Sequence, residues 1–339
     1  GTDDIAVFST NDVASISAKY LSALSTDSVA ALTTDQVAVL TTAQIAALST
    51  AQIGALTTDQ AAVLSTAQLG ALSSTQLAAV DTDNIAALTT VQVAALSSKS
   101  VAALTSAQVA ALTTDHIAAL STGQIGSFGS AAVAALTTDQ VAAFGTDDIA
   151  AISTKSLASL TTANLAALSS DQTAALTNTQ IAVLTTSQIG GLTSDQAVAL
   201  TTTQIATLSS TQAKAITTAN LAALSTAQVA AFTSGSVAAL TTDQVGALTT
   251  EQVEALSATQ VAALGSAALA ALGSDDIVTF STADVAAIGA KALSGLSTGN
   301  VAALTTDQVA VLTSSQLQAL STAQINAMST DQLVSLTTA

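Results

Sequence analysis

An eight-residue period constrains this chain more than any other feature, and no insertion or deletion interrupts it. The stretch TTDQVAVL at Thr33–Leu40 returns letter for letter at Thr305–Leu312. Counted from Gly1, 42 octads fill 336 residues, and Thr337, Thr338 and Ala339 open another. A chain this periodic folds as copies of one local unit, each sheltering its apolar residues against its neighbours.

The octad itself says what that unit is. Position one is Ser or Thr in 35 octads, Gly in six (Gly1, Gly129, Gly145, Gly265, Gly273, Gly289) and Asp in one (Asp81). All four residue types suit a helix N-cap, where neighbouring N–H groups lack helical partners. Position four is Gln in 24 octads. Ser or Thr followed three residues later by Gln is a capping box, each side chain bonding the other's backbone N–H. Position eight is always apolar and position five nearly always, the pair that forms a hydrophobic staple at a helix entry. Asp at position three, as in Asp35, Asp59 and Asp307, puts a carboxylate near the positive end of the helix dipole.

Two other backbones fail on geometry. In one long helix, eight residues advance the face by about 800°, roughly 80° past two turns, so the Val/Leu stripe would wind around the rod. In a strand, positions five and eight have opposite parity and would point to opposite faces. Ala and Gln also favour helices over strands. The prediction is therefore all-α: one short helix per octad over positions two to seven, a bend at eight and one, then the next helix. Isolated helices below about 12 residues are marginal in water, so the stubs must stack. Ala at positions six and seven allows close approach. The expected fold is a repeat solenoid, a superhelix of 42 octads running through residues 1–339 as a single continuous array. Because it stops inside an octad, the array is expected to be a piece of a longer one.

Composition narrows the function. Half the residues are apolar but only 2% are aromatic. The longest apolar runs are the six residues Ala131–Leu136 and Ala267–Leu272, against the roughly 20 that a membrane span needs. No basic segment followed by a long apolar one marks a signal peptide. Cys and Pro are absent, which removes disulfides and thiolate metal sites. The net charge of −17, with five Lys and no Arg, argues against nucleic acid and anionic membranes as partners.

Departures from consensus are few. All five Phe (Phe8, Phe128, Phe144, Phe232, Phe280) sit at position eight, where Leu otherwise goes. Ala61, Thr173, Ala197 and Ala213 leave position five without a large side chain; Val63 and Val198 are the candidates to restore the volume. A longer period links Gly1–Phe8, Gly145–Ile152 and Gly273–Phe280, while Lys19, Lys155 and Lys291 recur every 136 residues, or 17 octads. Blocks of octads have been duplicated.

Chemistry-bearing residues are scarce. His116, the one histidine, replaces Gln at position four, and with no Cys no nucleophilic pair can form except around it. It is expected to be an exposed capping side chain, and Tyr20, also at position four, a partly exposed ring. The acidic pairs Asp3–Asp4, Asp147–Asp148 and Asp275–Asp276 invite a calcium reading, but calcium wants six to eight oxygens and its loop signatures are missing. Capping and the helix dipole explain these carboxylates. Stacked Thr/Ser pairs at positions one and two could form a hydroxyl face of the kind ice-binding proteins use; capping is the stronger demand at position one. No phosphate-cradling loop or nucleophile elbow occurs. An enzyme is not expected, nor any catalytic, metal or cofactor-binding residue, nor a cofactor.

Through TTDQVAVL, TTAQIAAL (Thr41–Leu48) and STAQVAAF (Ser225–Phe232), the chain resembles Thr/Ala-rich octapeptide tracts of very large secreted bacterial surface proteins, adhesin-like and type I-secreted. The resemblance implies an extracellular or cell-surface location and a spacer, stalk or surface-layer-type role. Neighbouring repeats or domains of the same surface protein are then the partners, with self-association left open. The alternative is a binding module for a glycan, a protein partner or ice, in which the odd residues His116, Tyr20, Lys214, Glu251 and Glu254 would gather into one patch.

Overall fold

A computed structural model describes Ile5 and residues 7–336. Among these residues lie 41 α-helices of four to six residues, from Thr10–Ser15 to Thr330–Ser335, and no strand. The one-helix-per-octad prediction is correct. Asp3–Asp4 and Gly1 lie outside the described residues.

One octad shows how each helix starts and stops. Thr33 is extended (φ −72°, ψ 160°) and its Oγ1 accepts the Gln36 N–H at 3.2 Å, while Gln36 Oε1 accepts the Thr33 N–H at 2.8 Å. This is the reciprocal box read from the letters. Val37 N–H then donates to Thr33 O at 3.0 Å, and Leu40 N–H closes a tighter turn on Val37 O at 3.2 Å. Extended backbone at positions eight and one, such as Leu48 (φ −64°, ψ 141°) followed by Ser49 (φ −70°, ψ 161°), re-aims the chain for the next helix. No described residue has a positive φ. Extended backbone at positions eight and one ends these helices, so neither Gly nor Pro is needed to break them.

The chain divides into two units, Gly1–Ala175 and Leu176–Ala339. Within the first, each helix packs on the helix three octads later: Thr58–Ala62 lies against Thr82–Ala87, and Ser106–Ala111 against Ser130–Ala135. Its position-four side chain bonds the octad four earlier, as when Gln60 Nε2 donates to Leu32 O at 2.7 Å. A coil therefore closes after more than three and fewer than four octads. Cross-coil bonds separated by 25 residues (Ser98 to Gly123) and by 28 (Gln60 to Leu32) bracket the turn. The second unit repeats the rule: Ser210–Ala215 packs on Ser234–Ala239, and Gln212 Nε2 donates to Leu184 O at 2.8 Å. Each unit is an α-solenoid.

Positions five and eight form the core, as expected: Ile45, Ile53, Leu157 and Val253 are fully buried. Phe128, Phe144, Phe232 and Phe280 join them, whereas Phe8, in the first coil, stays 45% exposed. The expected compensation for small position-five residues does not occur. Val63 and Val198 are 38% and 44% exposed, because positions six and seven face outward, and Ala61 and Ala197 are buried without them. Thr173 spends its hydroxyl on Ser169 O at 2.9 Å.

Candidate functional site

The most organised polar feature is the row of position-four side chains, which are buried together with the apolar core. Gln36, Gln44, Gln60 and Gln68 are each 2% exposed. The amide oxygen completes the local capping box, and the amide nitrogen crosses to the preceding coil. Gln44 Nε2 donates to Val13 O at 3.0 Å and Ile16 O at 2.8 Å; Gln92 Nε2 donates to Ala61 O, Ala62 O and Leu64 O at 3.2, 3.1 and 2.7 Å. One side chain thus starts its own helix and ties down the end of another, 28 to 31 residues earlier. No buried side-chain nitrogen or oxygen among the described residues lacks a hydrogen-bond partner, the condition under which a buried amide stabilises a fold. The inter-coil half of this role went unread in the letters, because a capping box explains the Gln without it.

His116 occupies this row, which corrects the expectation that it would be exposed. It is 3% exposed; Nδ1 accepts the Thr113 N–H at 3.2 Å and Nε2 lies 2.7 Å from Leu88 O. Since Nδ1 accepts, Nε2 carries the proton, and the neutral ring reproduces both ends of a glutamine amide. Shorter substitutes keep one end: Asn164 Nδ2 and Asn220 Nδ2 reach Leu136 O and Leu192 O, each at 2.7 Å, without the return bond to the cap.

The acidic pairs serve their own helix starts. Asp148 Oδ2 accepts the Gly145 N–H at 2.9 Å; Asp276 accepts the Gly273 N–H and the Thr250 hydroxyl, both at 2.9 Å. Asp147 and Asp275 are exposed. Among the described residues no three His, Cys, Asp or Glu side chains are grouped to hold a metal ion. Apart from Ser17, the position-one hydroxyls of the described helices accept cap bonds, and several serines at position two tie coils together: Ser98, Ser106 and Ser210 donate to carbonyls 25 residues later at 3.3, 3.1 and 2.9 Å. Asp81 makes no side-chain cap bond.

Two exposed carboxyls sit below the ordinary carboxylate range. Asp12 is held there by the Ser9 hydroxyl and then the Ser9 N–H, and Glu251 by its own backbone N–H and then the Thr249 hydroxyl. Both are cap interactions. Of the five odd residues, Tyr20 (71% exposed) is the one on the surface of the first unit, since His116 is buried. Lys214, Glu251 and Glu254 are exposed in the second. Among the described residues no pocket forms, and no helix is long and apolar enough to cross a membrane.

Short capped helices stacked by a buried amide row define a structural repeat module. The chain belongs to the ALTTAQ repeat family, whose pattern matches residues 5–42, 38–66, 62–90, 90–122, 117–146, 141–178, 174–202, 213–250, 222–258, 277–314 and 310–338. The six letters of that description run from position seven through position four of the octad, and so span the bend, the cap and the clamping glutamine. No curated relative matches the chain.

Proposed function

We propose that the chain is a non-enzymatic spacer or stalk, a surface-layer-type module that holds other parts of a secreted bacterial surface protein at a distance. One observation carries this reading: the side chains able to form specific polar contacts, at positions one and four, are directed to caps and neighbouring coils. What remains outside is mainly small residues and scattered carboxylates, with single lysines and apolar side chains such as Lys214, Tyr20 and Val91 among them. A bacterial cell-surface location follows from the sequence resemblance, and the partners are adjoining repeats or domains of the same protein.

The test is to display the chain on cells between an anchor and an epitope tag. In one variant, exposed residues at positions three and six are exchanged for other small polar residues throughout, with positions one, four, five and eight kept. In a second, seven octads, about two coils, are removed from within one unit. A spacer tolerates the first change and loses tag accessibility with the second. A binding module loses its ligand, read on glycan arrays and by ice-growth inhibition, with the first change; that result would replace the spacer reading.

A further inference from the structure

Position four clamps each coil to the one before it, and one stretch of the second unit lacks that clamp over a whole coil. In the four consecutive octads at 265–296, position four holds Ala268, Asp276, Asp284 and Ala292. In the register of Gln212 to Leu184, Gln252 to Leu224 and Gln316 to Ile288, the carbonyls 28 residues back would be those of Leu240, Leu248, Leu256 and Leu264. Alanine offers them no donor. The aspartates serve their own helix starts, Asp276 Oδ2 accepting the Gly273 N–H at 2.9 Å and Asp284 Oδ2 the Ser281 N–H at 2.8 Å. An ionised carboxylate is acceptor-only, so it cannot bond a carbonyl either.

The contrast with the flanking octads is sharp. Gln244, Gln252 and Gln260 donate to Ile216 O, Leu224 O and Phe232 O at 2.7, 2.6 and 2.7 Å. On the other side, Asn300, Gln308 and Gln316 donate to Leu272 O, Phe280 O and Ile288 O at 3.0, 2.7 and 2.8 Å. Apolar packing runs on through the gap, with Leu269, Ile277, Val285 and Leu293 buried, and Thr250 Oγ1 still reaches Asp276 Oδ1. Three of the four helix starts are Gly265, Gly273 and Gly289, which make no side-chain cap bond. A thinner version lies 17 octads earlier at 129–160. There Ala132 and Asp148 break the row, Ser156 Oγ reaches Phe128 O at 3.0 Å, and Gln140 remains clamped.

We propose that this coil is a built-in parting plane: unit Leu176–Ala339 opens first between the coil ending at Leu264 and the coil beginning at Gly265. In a linear array, stability is close to a sum of repeat and neighbour-interface contributions, so the interface with the fewest bonds opens at the lowest free energy. This opening is independent of the spacer reading.

Hydrogen exchange followed by mass spectrometry on the intact chain tests it. Amides at 265–296 should exchange at least about tenfold faster than those of the clamped coil at 201–232, with a step at residue 265. The variant Ala268→Gln, Asp276→Gln, Asp284→Gln and Ala292→Gln supplies the missing donors and should erase the step. The converse variant, Gln244→Ala, Gln252→Ala and Gln260→Ala, should create a second step near Thr241. A smooth gradient of exchange toward the chain end, or a step unmoved by either variant, would overturn the proposal.

Discussion

Replacing Gln60 by alanine probes the bond system on which both solenoid units depend. Gln60 is 2% exposed; its Oε1 accepts the Thr57 N–H at 2.9 Å, and its Nε2 donates to Leu32 O, Val29 O and Ala30 O at 2.7, 3.0 and 3.2 Å. Alanine abolishes all of these. Val29 O keeps the Leu32 N–H as a donor at 3.2 Å, so the net loss is two strong bonds, to Thr57 and to Leu32. At about 0.5–1.5 kcal/mol per bond, plus the lost packing of a buried side chain, the cost should be about 2–3 kcal/mol. Asparagine, which keeps the inter-coil bond as Asn164 does, should cost about 1 kcal/mol. Glutamate should be the worst of the three, at about 3–5 kcal/mol, because one oxygen completes the cap and the other confronts the Leu32 carbonyl as a buried charge without a partner. Urea unfolding followed by far-ultraviolet circular dichroism measures the series, with Asp59→Ala at the adjoining exposed position as reference. If Gln60→Ala stays within about 0.5 kcal/mol of that reference, or if glutamate is tolerated as well as glutamine, the clamp is not what holds the coils.

Four further outcomes follow from the same geometry. His116→Gln should leave the thermal midpoint of unfolding nearly unchanged, while His116→Ala should cost about 2 kcal/mol by loss of the contacts to Thr113 and Leu88. A Cβ on Gly70 meets no atom within 4 Å, so Gly70→Ala should stabilise by about 0.4–1 kcal/mol, whereas on Gly295 it runs into the Ser266 backbone and should destabilise by about 1–3 kcal/mol; denaturant midpoints separate the two. Ile45→Ala, at a fully buried position five, should cost about 2–5 kcal/mol, against under about 0.5 kcal/mol for Val39→Ala at the outward position seven. The Asp12 carboxyl is lowered by Ser9, so its cap contributes above the ordinary carboxylate range and is lost as pH falls through the lowered value; Ser9→Ala should move its titration, followed by nuclear magnetic resonance, back up toward that range.

Much of the helix-level structure was legible because it is decided within one octad. Ser49 and Gln52 bond each other over three residues, so their letters alone announce a helix start. Ile53 and Leu56 carry the bulk, so they are the ones buried. His116 departs from the sequence expectation because a capping side chain is commonly exposed; here the same ring also reaches Leu88 O, 28 residues away, and that contact buries it. Val63 and Val198 do not fill the core, because compensation for a small core residue depends on direction, and positions six and seven point out of the coil. Whether the exposed odd residues adjoin depends on the number of octads per coil, which no local preference encodes.

By itself the sequence determined the octad, the place of every described helix start and the two apolar positions of each repeat, since caps and staples act over three to five residues. Tertiary structure alone decided that a coil closes between three and four octads, and that the same glutamine amide spans two coils. The reason is range. A hydrogen bond from Gln52 to Ser49 is a property of the local chain, whereas one from Gln52 to Leu24 exists only once the intervening 28 residues have wound back on themselves.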